Sequence, residues 1–364
     1  MKKRIIIAGG GTGGHIFPAV AIANAIRKQQ PSTEILFIGA KGKMEMDKVP
    51  QAGYPIKGID ISGFNRNSLV RNIALPYKLM RSFIQVSGIV KEFRPDAAVG
   101  FGGYSTFPVL RYVQSKGIPT FIHESNFFAG RSNIMLGRKA TRIFTAGDGM
   151  ESFFPADKLM VTGNPVRSAI VNSVIVREEA IQFFGLDPVK TTILVTGGSL
   201  GAKSINEAIA ASIEEFEKHD LQLIWQTGKP FAATARKIAE GKKNIWTKDF
   251  ITKMEYAFAA ADTVVSRSGA MAISELCVVK KPVIFVPYPF AAEDHQSVNA
   301  RRLVEKDAAI LIADGEVTQQ LVNTVIEMAE NKERQQQLKK NISRLAVINA
   351  DEIIASEILK ALHD

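Results

Sequence analysis

Apolar positions along the chain follow two rhythms. Short β-branched runs such as Ile5–Ala8 give way to stretches in which apolar residues recur every three or four positions, as at Phe17, Val20, Ala21 and Ala25. The first rhythm predicts buried strands and the second amphipathic helices. In the first half, strand-like runs recur at Glu34–Ile38, Pro55–Ile61, Ala97–Gly100, Ile118–Ile122 and Arg142–Thr145. In the second half they recur at Thr192–Thr196, Asp262–Ser266 and Pro282–Val286, with a helical pattern over Ser204–Phe216. Alternating strands and helices predict mainly parallel sheets covered on both faces, with functional residues at the carboxyl ends of strands.

The opening plan of strand, glycine turn and helix returns at Thr192, so two similar nucleotide-type domains are expected. The stretch Gly163–Arg167 (GNPVR), followed by the mixed segment Asn172–Glu179, reads as their boundary. The expected division is residues 1–164, residues 165–345 and a tail over 346–364 whose last helix, near Glu352–Leu362, crosses back to the first domain. A chain of 364 residues, 46% hydrophobic, is long enough for two such cores.

Composition narrows the setting. A single cysteine, Cys277, lies in an apolar helical stretch, which excludes an intramolecular disulfide and predicts a buried, inert thiol. Glycines interrupt the first apolar run after Ile7, so no signal peptide is read, and no run approaches the ~18 residues a spanning helix needs. A cytoplasmic protein is expected. The net charge of +10 suits nucleic acid, an anionic membrane or phosphorylated ligands. No nucleic-acid module is present, so no nucleic-acid partner is expected.

Part of that charge is concentrated in residues 65–94, where Arg66, Arg71, Lys78, Arg81, Lys91 and Arg94 face only Glu92. Within the helix expected from about Pro76, Leu79, Phe83, Val86 and Val90 have the spacing to pack on the sheet. Ile73, Tyr77, Met80 and Ile84 form a neighbouring apolar stripe. Such a helix is either well buried or lies against a membrane, apolar groups in the interface and cations on anionic headgroups.

The candidate chemistry sits in the turns. Ile5–Pro18 reads IIIAGGGTGGHIFP, and Gly100–Pro108 reads GFGGYSTFP. Glycines admit close approach of a ligand to the backbone, and the free N–H groups of a helix start favour an anion. Gly9, Gly11 and Gly14 satisfy the dinucleotide spacing GxGxxG, but the second strand runs out into Gly39-Ala40-Lys41 without the acid that would hold a ribose. A nicotinamide cofactor is therefore not expected, while a phosphate site is. Gly197–Gly201 fits the hydrolase elbow GxSxG with Ser199, and Asp262 and His295 follow in triad order. The equivalent turn of the first half has Thr12 and no such motif, which favours a shared phosphate role. A P-loop fails because Ala202 replaces its last glycine.

Polar residues cluster near these turns. His123-Glu124-Ser125-Asn126 follows the strand TFI, and Arg267-Ser268-Gly269-Ala270 opens a helix whose second turn carries Glu275, placed to accept ribose hydroxyls. Glu293-Asp294-His295-Gln296 begins another helix, with Gln296 suited to sugar hydroxyls.

Taken in order, GGGTGGHIFPA, GFGGYSTFP, HESN, GNPVR, GGSLGA, Phe250-Ile251 with Met254, SRSGAMAISE and EDHQSVNA resemble the MurG family of glycosyltransferases over nearly the whole chain. The resemblance implies an α/β GT-B fold, two Rossmann-like domains with a central cleft. It implies metal-independent, inverting transfer of GlcNAc from UDP-GlcNAc to the C4 hydroxyl of MurNAc in undecaprenyl-diphospho-MurNAc-pentapeptide, a step of peptidoglycan synthesis. No cofactor is implied, and no DxD metal clamp occurs in the sequence.

By the same resemblance Ile251 main-chain groups bind uracil and Glu275 the ribose. Ser199, Gly269, Ala270 and Arg167 hold the diphosphate, and Gln296 and Asn126 the GlcNAc hydroxyls. Thr12, Gly13 and Gly14 complete the donor contacts. Gly11, Gly102, Gly103 and Tyr104 receive the acceptor diphosphate. Ile73, Tyr77, Met80 and Phe83 match the membrane-docking region, which implies a peripheral protein on the cytoplasmic face of the membrane, near other cell-wall synthesis proteins. A base must take the acceptor proton; His15 is assigned that role, with Glu124 as the alternate. Two further readings stay open: another enzyme of the same fold using UDP-GlcNAc, such as an epimerase, and a non-catalytic nucleotide-sugar or lipid-diphosphate binder.

Overall fold

A computed structural model describes residues 2–63, 75–198 and 200–362. Arg66, Arg71, Ile73 and Ser199 therefore lie outside the described residues. The chain divides into two units, the first comprising residues 1–167 and 348–364 and the second residues 168–347. By these contacts Arg167 belongs to the first unit, three residues beyond the division drawn from sequence.

The first unit is built on seven strands: β1 (Arg4–Ala8), β2 (Glu34–Ala40), β3 (Ile56–Ile59), β4 (Ala97–Gly100), β5 (Thr120–Glu124), β6 (Arg142–Thr145) and β7 (Leu159–Val161). They form one parallel sheet in the order β3-β2-β1-β4-β5-β6-β7. The strand order reverses between β1 and β4, so the turns leaving these two strands emerge side by side, where such sheets place ligands.

Why β1 is apolar from Ile5 to Ala8 follows from its position. Ile5 and Ile7 join the core on one face, with helix α1 (Gly13–Gln29), while Ile6 and Ala8 join the core on the other. Helix α2 (Glu45–Gln51) follows β2, and helices α3 (Leu75–Phe93), α4 (Thr106–Ser115) and α5 (Arg131–Gly137) supply the second face. On the first face the helix Ala350–Lys360 inserts Ile354, Ala355, Ile358 and Leu359 among Ile16, Ala19, Ile22 and Ile26 of α1. Lys28 also pairs with Glu352 at 2.8 Å.

The second unit carries β8 (Thr191–Thr196), β9 (Leu221–Gln226), β10 (Ile245–Lys248), β11 (Thr263–Ser266), β12 (Val283–Phe285) and β13 (Ile310–Leu311). Its parallel sheet runs β10-β9-β8-β11-β12-β13, with the reversal between β8 and β11. Trp225 is wholly buried, its indole N–H donating to Asn206 Oδ1 at 2.9 Å while Asn206 Nδ2 donates to the Thr227 carbonyl at 2.8 Å. That chain of bonds fixes the helix Lys203–Ala211 to the end of β9. Burial pushes the Cys277 thiol up to about 12, so it carries no thiolate at neutral pH.

Candidate active site

The turn after β1 begins α1. Thr12 is its N-cap in an extended conformation, and its side chain does not cap, which leaves the N–H groups of Gly13 and Gly14 at a helix start without an acid in its first turn. Thr12 is exposed, and Gly11, Gly13, Gly14 and His15 are partly so. His15 Nδ1 lies 3.0 Å from the Gly10 carbonyl. A carbonyl only accepts, so Nδ1 carries the proton and Nε2 is left with its lone pair.

The second glycine turn packs onto the first. A Cβ built at Gly102 would stand 3.0 Å from His15 Nε2, and one at Gly103 would overlap the Gly10 backbone. Gly103 also has φ of +83°, which an L side chain adopts only with strain. Tyr104, 46% exposed, lies over Gly63 at the rim.

A buried carboxylate that the sequence pattern does not reveal sits behind the first turn. Glu45 of α2 is 1% exposed. Its Oε2 accepts from Gly11 N at 2.8 Å and its Oε1 from Ala40 N at 3.0 Å. Side chains at Gly10 or Gly39 would overlap it.

The HESN stretch differs from its expected place beyond a strand. His123 and Glu124 are the last two residues of β5, and both are buried. The Glu124 carboxylate accepts from Asn126 N at 3.1 Å, Asn126 Nδ2 at 3.3 Å, Gly130 N at 3.2 Å and Asn133 Nδ2 at 2.8 Å. Both oxygens are thus occupied in shaping the loop before α5, which is a poor state for a base. Asn126 is partly buried beside it. His123 lies under Phe101, ring centroids 5.6 Å apart, and burial pushes it down to about 4, so it is neutral. Arg167 stands over the Phe17 ring of α1 at 5.9 Å, close to the first turn.

Helix α3 shows an exposed apolar stripe, with Tyr77 60%, Met80 58% and Ile84 67% exposed at helical spacing. Phe83 is not part of it: its ring is half-buried, edge-on to Phe107 at 6.5 Å. Lys78 and Arg81 flank the stripe, and Arg81 also reaches Asp60 at 3.2 Å.

In the second unit, Gly269 caps the helix Ala270–Val279, with Gly269 and Ala270 partly exposed and Glu275 buried two turns in. Ser268 is fully buried and donates to the Gln296 carbonyl at 2.9 Å. Gln296 Oε1 accepts from Tyr288 N at 2.9 Å, which commits one face of that amide to its own loop. Ile251 is 4% exposed, and its N–H already donates to Gln226 Oε1 at 2.9 Å. Of its two main-chain groups, then, the N–H is committed within the protein. Gln226 also donates to Thr196 Oγ1 at 3.0 Å and Gly198 O at 3.1 Å, so one buried amide joins the glycine turn after β8 to the Ile251 loop.

Among the described residues no cluster of His, Cys, Asp and Glu could hold a metal ion, and no helix is long and apolar enough to cross a membrane.

Comparison with known proteins gives these turns a family. Residues 5–145 match the glycosyltransferase family 28 N-terminal domain, and residues 192–352 the glycosyltransferase family 28 C-terminal domain. A protein of Parabacteroides distasonis is 49% identical over 99% of both chains. It is named a UDP-N-acetylglucosamine--N-acetylmuramyl-(pentapeptide) pyrophosphoryl-undecaprenol N-acetylglucosamine transferase. One of the same name from Flavobacterium psychrophilum is 45% identical over 99% of this chain and 98% of its own. The crystal structure of Acinetobacter baumannii MurG superposes with a TM-score of 0.80 at 29% identity, covering 98% of this chain and 99% of that one. A UDP-GlcNAc 2-epimerase from Neisseria meningitidis, at 15% identity and a TM-score of 0.69 over 99% of this chain and 100% of its own, shares the fold. With relatives this similar from end to end and both family domains in sequence order, the chain belongs to glycosyltransferase family 28, in its MurG group and with the GT-B fold.

Proposed function

We infer that the chain transfers GlcNAc from UDP-GlcNAc to the C4 hydroxyl of MurNAc in undecaprenyl-diphospho-MurNAc-pentapeptide, with inversion and without a metal. The observation that carries this is the 49% identity, over 99% of both chains, to a transferase of that printed name. The geometry of the turns supports the roles assigned below.

The acceptor hydroxyl attacks the anomeric carbon, and UDP departs through an oxocarbenium-like state. His15 takes the hydroxyl proton at Nε2, the nitrogen left with a lone pair once Nδ1 is committed to Gly10. Such assistance is worth ~10²–10⁴-fold. Glu124 serves to shape the loop that carries Asn126, its carboxylate being saturated by four donors.

Charge on the leaving diphosphate is met by fixed N–H groups and a cation. The helix starts at Thr12–Gly14 and Gly269-Ala270 each contribute up to ~2 kcal/mol where partly buried. Arg167 supplies the positive charge, and Ser199 adds to the donor diphosphate contacts. Glu275 accepts the ribose hydroxyls, the Ile251 carbonyl reads uracil, and Gln296 and Asn126 contact GlcNAc. Gly11, Gly102, Gly103 and Tyr104 serve the acceptor's diphosphate. The exposed stripe of Tyr77, Met80 and Ile84, flanked by Lys78 and Arg81, docks peripherally on an anionic cytoplasmic membrane face.

The test is UDP release from UDP-GlcNAc in the presence of EDTA, with and without a lipid-diphosphate MurNAc acceptor. Release only with acceptor, undiminished by EDTA, is expected. Turnover of donor alone would favour the epimerase reading, and loss of activity on chelation would remove the metal-free mechanism.

A further inference from the structure

Glu45 and His15 bond to the two ends of one peptide group. The Gly10–Gly11 peptide donates its N–H, on Gly11, to Glu45 Oε2 at 2.8 Å and offers its carbonyl, on Gly10, to His15 Nδ1 at 3.0 Å. A carboxylate, a peptide and an imidazole thus stand in one hydrogen-bonded line. We propose that Glu45 is a positioning residue that sets the tautomer and the basicity of His15 through the Gly10–Gly11 peptide. This rests on His15 as the base of the reading above.

The physics is that of a carboxylate–histidine pair with an amide interposed. An N–H bonded to an anion polarises its own carbonyl, and hydrogen bonds in such a chain strengthen one another. The strengthened Gly10 carbonyl holds the Nδ1 proton in place, so Nε2 keeps its lone pair. When Nε2 gains a proton, the imidazolium charge is balanced by a carboxylate one peptide away. The packing is built for this line: any side chain at Gly10 or Gly39 would strike Glu45, and any at Gly103 would displace the Gly10 backbone.

Other ionisable residues lie near this line. His123 of β5 also faces His15 and is held neutral by its burial. Tyr104, the ionisable residue of the second glycine turn, lies over Gly63. Arg167 is directed to the Phe17 ring. On α2 Glu45 gives its second oxygen to Ala40 N, which anchors it to the end of β2.

The experiment is histidine titration by ¹⁵N NMR on the full chain, with the His15 signals assigned by His15→Gln. In the wild type the neutral ring should carry its proton on Nδ1. In Glu45→Gln, which keeps the shape and removes the charge, the His15 midpoint should fall and the tautomers should mix. Glu45→Asp should restore part of the shift. In the acceptor-dependent assay the acid limb of kcat/KM should move down by the same amount, and kcat should fall roughly threefold to tenfold with donor KM unchanged. An Nε2-protonated wild-type ring, or an unchanged His15 midpoint in folded Glu45→Gln, overturns the proposal. Should Glu45→Gln not fold, the wild type answers alone: the Gly11 amide proton must titrate with His15, and a flat response overturns the relay. The titration needs no turnover, so the two readings fail separately. A His15 midpoint governed by Glu45 in a chain without acceptor-dependent UDP release removes the transferase reading. Transfer without that dependence removes the relay.

Discussion

His123 offers a measurement of how dry the floor of the first unit is. It is fully buried at the end of β5, with Nε2 3.5 Å from the Gly163 carbonyl and Nδ1 3.4 Å from Ser125 Oγ. Desolvation pushes its pKa from 6.5 down to about 4, helped by the nearby His15 and opposed by the Gly163 bond. The unfolded chain binds a proton below about pH 6.5 whereas the folded one resists until about pH 4. Stability is therefore present above the unfolded value and is lost as pH falls toward the folded one. At pH 5 the difference amounts to about 2 kcal/mol relative to pH 7.5. His123→Asn removes the titration and should abolish that part of the pH dependence, whatever it does to absolute stability. The assay is urea unfolding followed by far-UV circular dichroism at both pH values. Both tryptophans, Trp225 and Trp246, lie in the second unit, so their fluorescence tracks that unit in the same samples. Parallel pH dependence in the wild type and His123→Asn would refute a dry, neutral His123.

Two further outcomes test the site. Gly103→Ala puts a side chain at φ +83° against the Gly10 backbone, a strain of about 1–3 kcal/mol relieved by shifting the turn that carries His15. We expect kcat to fall at least roughly tenfold with little change in donor KM, and wild-type kcat would contradict the interlocking of the two turns. Replacing Tyr77, Met80 and Ile84 together by serine should weaken binding to anionic vesicles by at least roughly tenfold, since each side chain contributes up to ~2 kcal/mol when removed from water. Transfer to a soluble acceptor analogue should be unaffected; undiminished sedimentation with vesicles would place the docking surface elsewhere.

Much of the fold was legible because strand segments buried on both faces are apolar, as Ile5–Ala8 of β1, Ala97–Gly100 of β4 and Ile193–Val195 of β8 are. The strands that escaped have other constraints. β9 carries Gln222 and Gln226, which look like solvent-facing residues but are buried and fully used: Gln222 exchanges bonds with the Asp187 backbone at 2.7 and 2.8 Å. β13 has two residues, too short for any periodicity, and β7 and β10 are short edge-ward strands with exposed positions. The polar ending of β5 falls outside the strand expected from sequence because His123 and Glu124 are satisfied inside the protein, a fact that lies in their partners and not in their own letters. Within the site, the glycine turns were visible since glycine spacing has few other meanings. Glu45 was not, because its partner Gly11 is 34 residues away. The acid sought at the end of β2 does reach that strand, through Ala40, but it is turned toward the protein's own glycine loop.

The return of the helix Ala350–Lys360 to α1 has a consequence for biogenesis. The second unit is one continuous segment and can close as soon as residues 168–347 have left the ribosome. The first unit begins earlier yet lacks one wall of its core until Ile354, Ala355, Ile358 and Leu359 arrive, so the domain started first is finished last. During that interval α1 rests on the sheet through Ile5 and Ile7 but lacks the cover that the last helix brings.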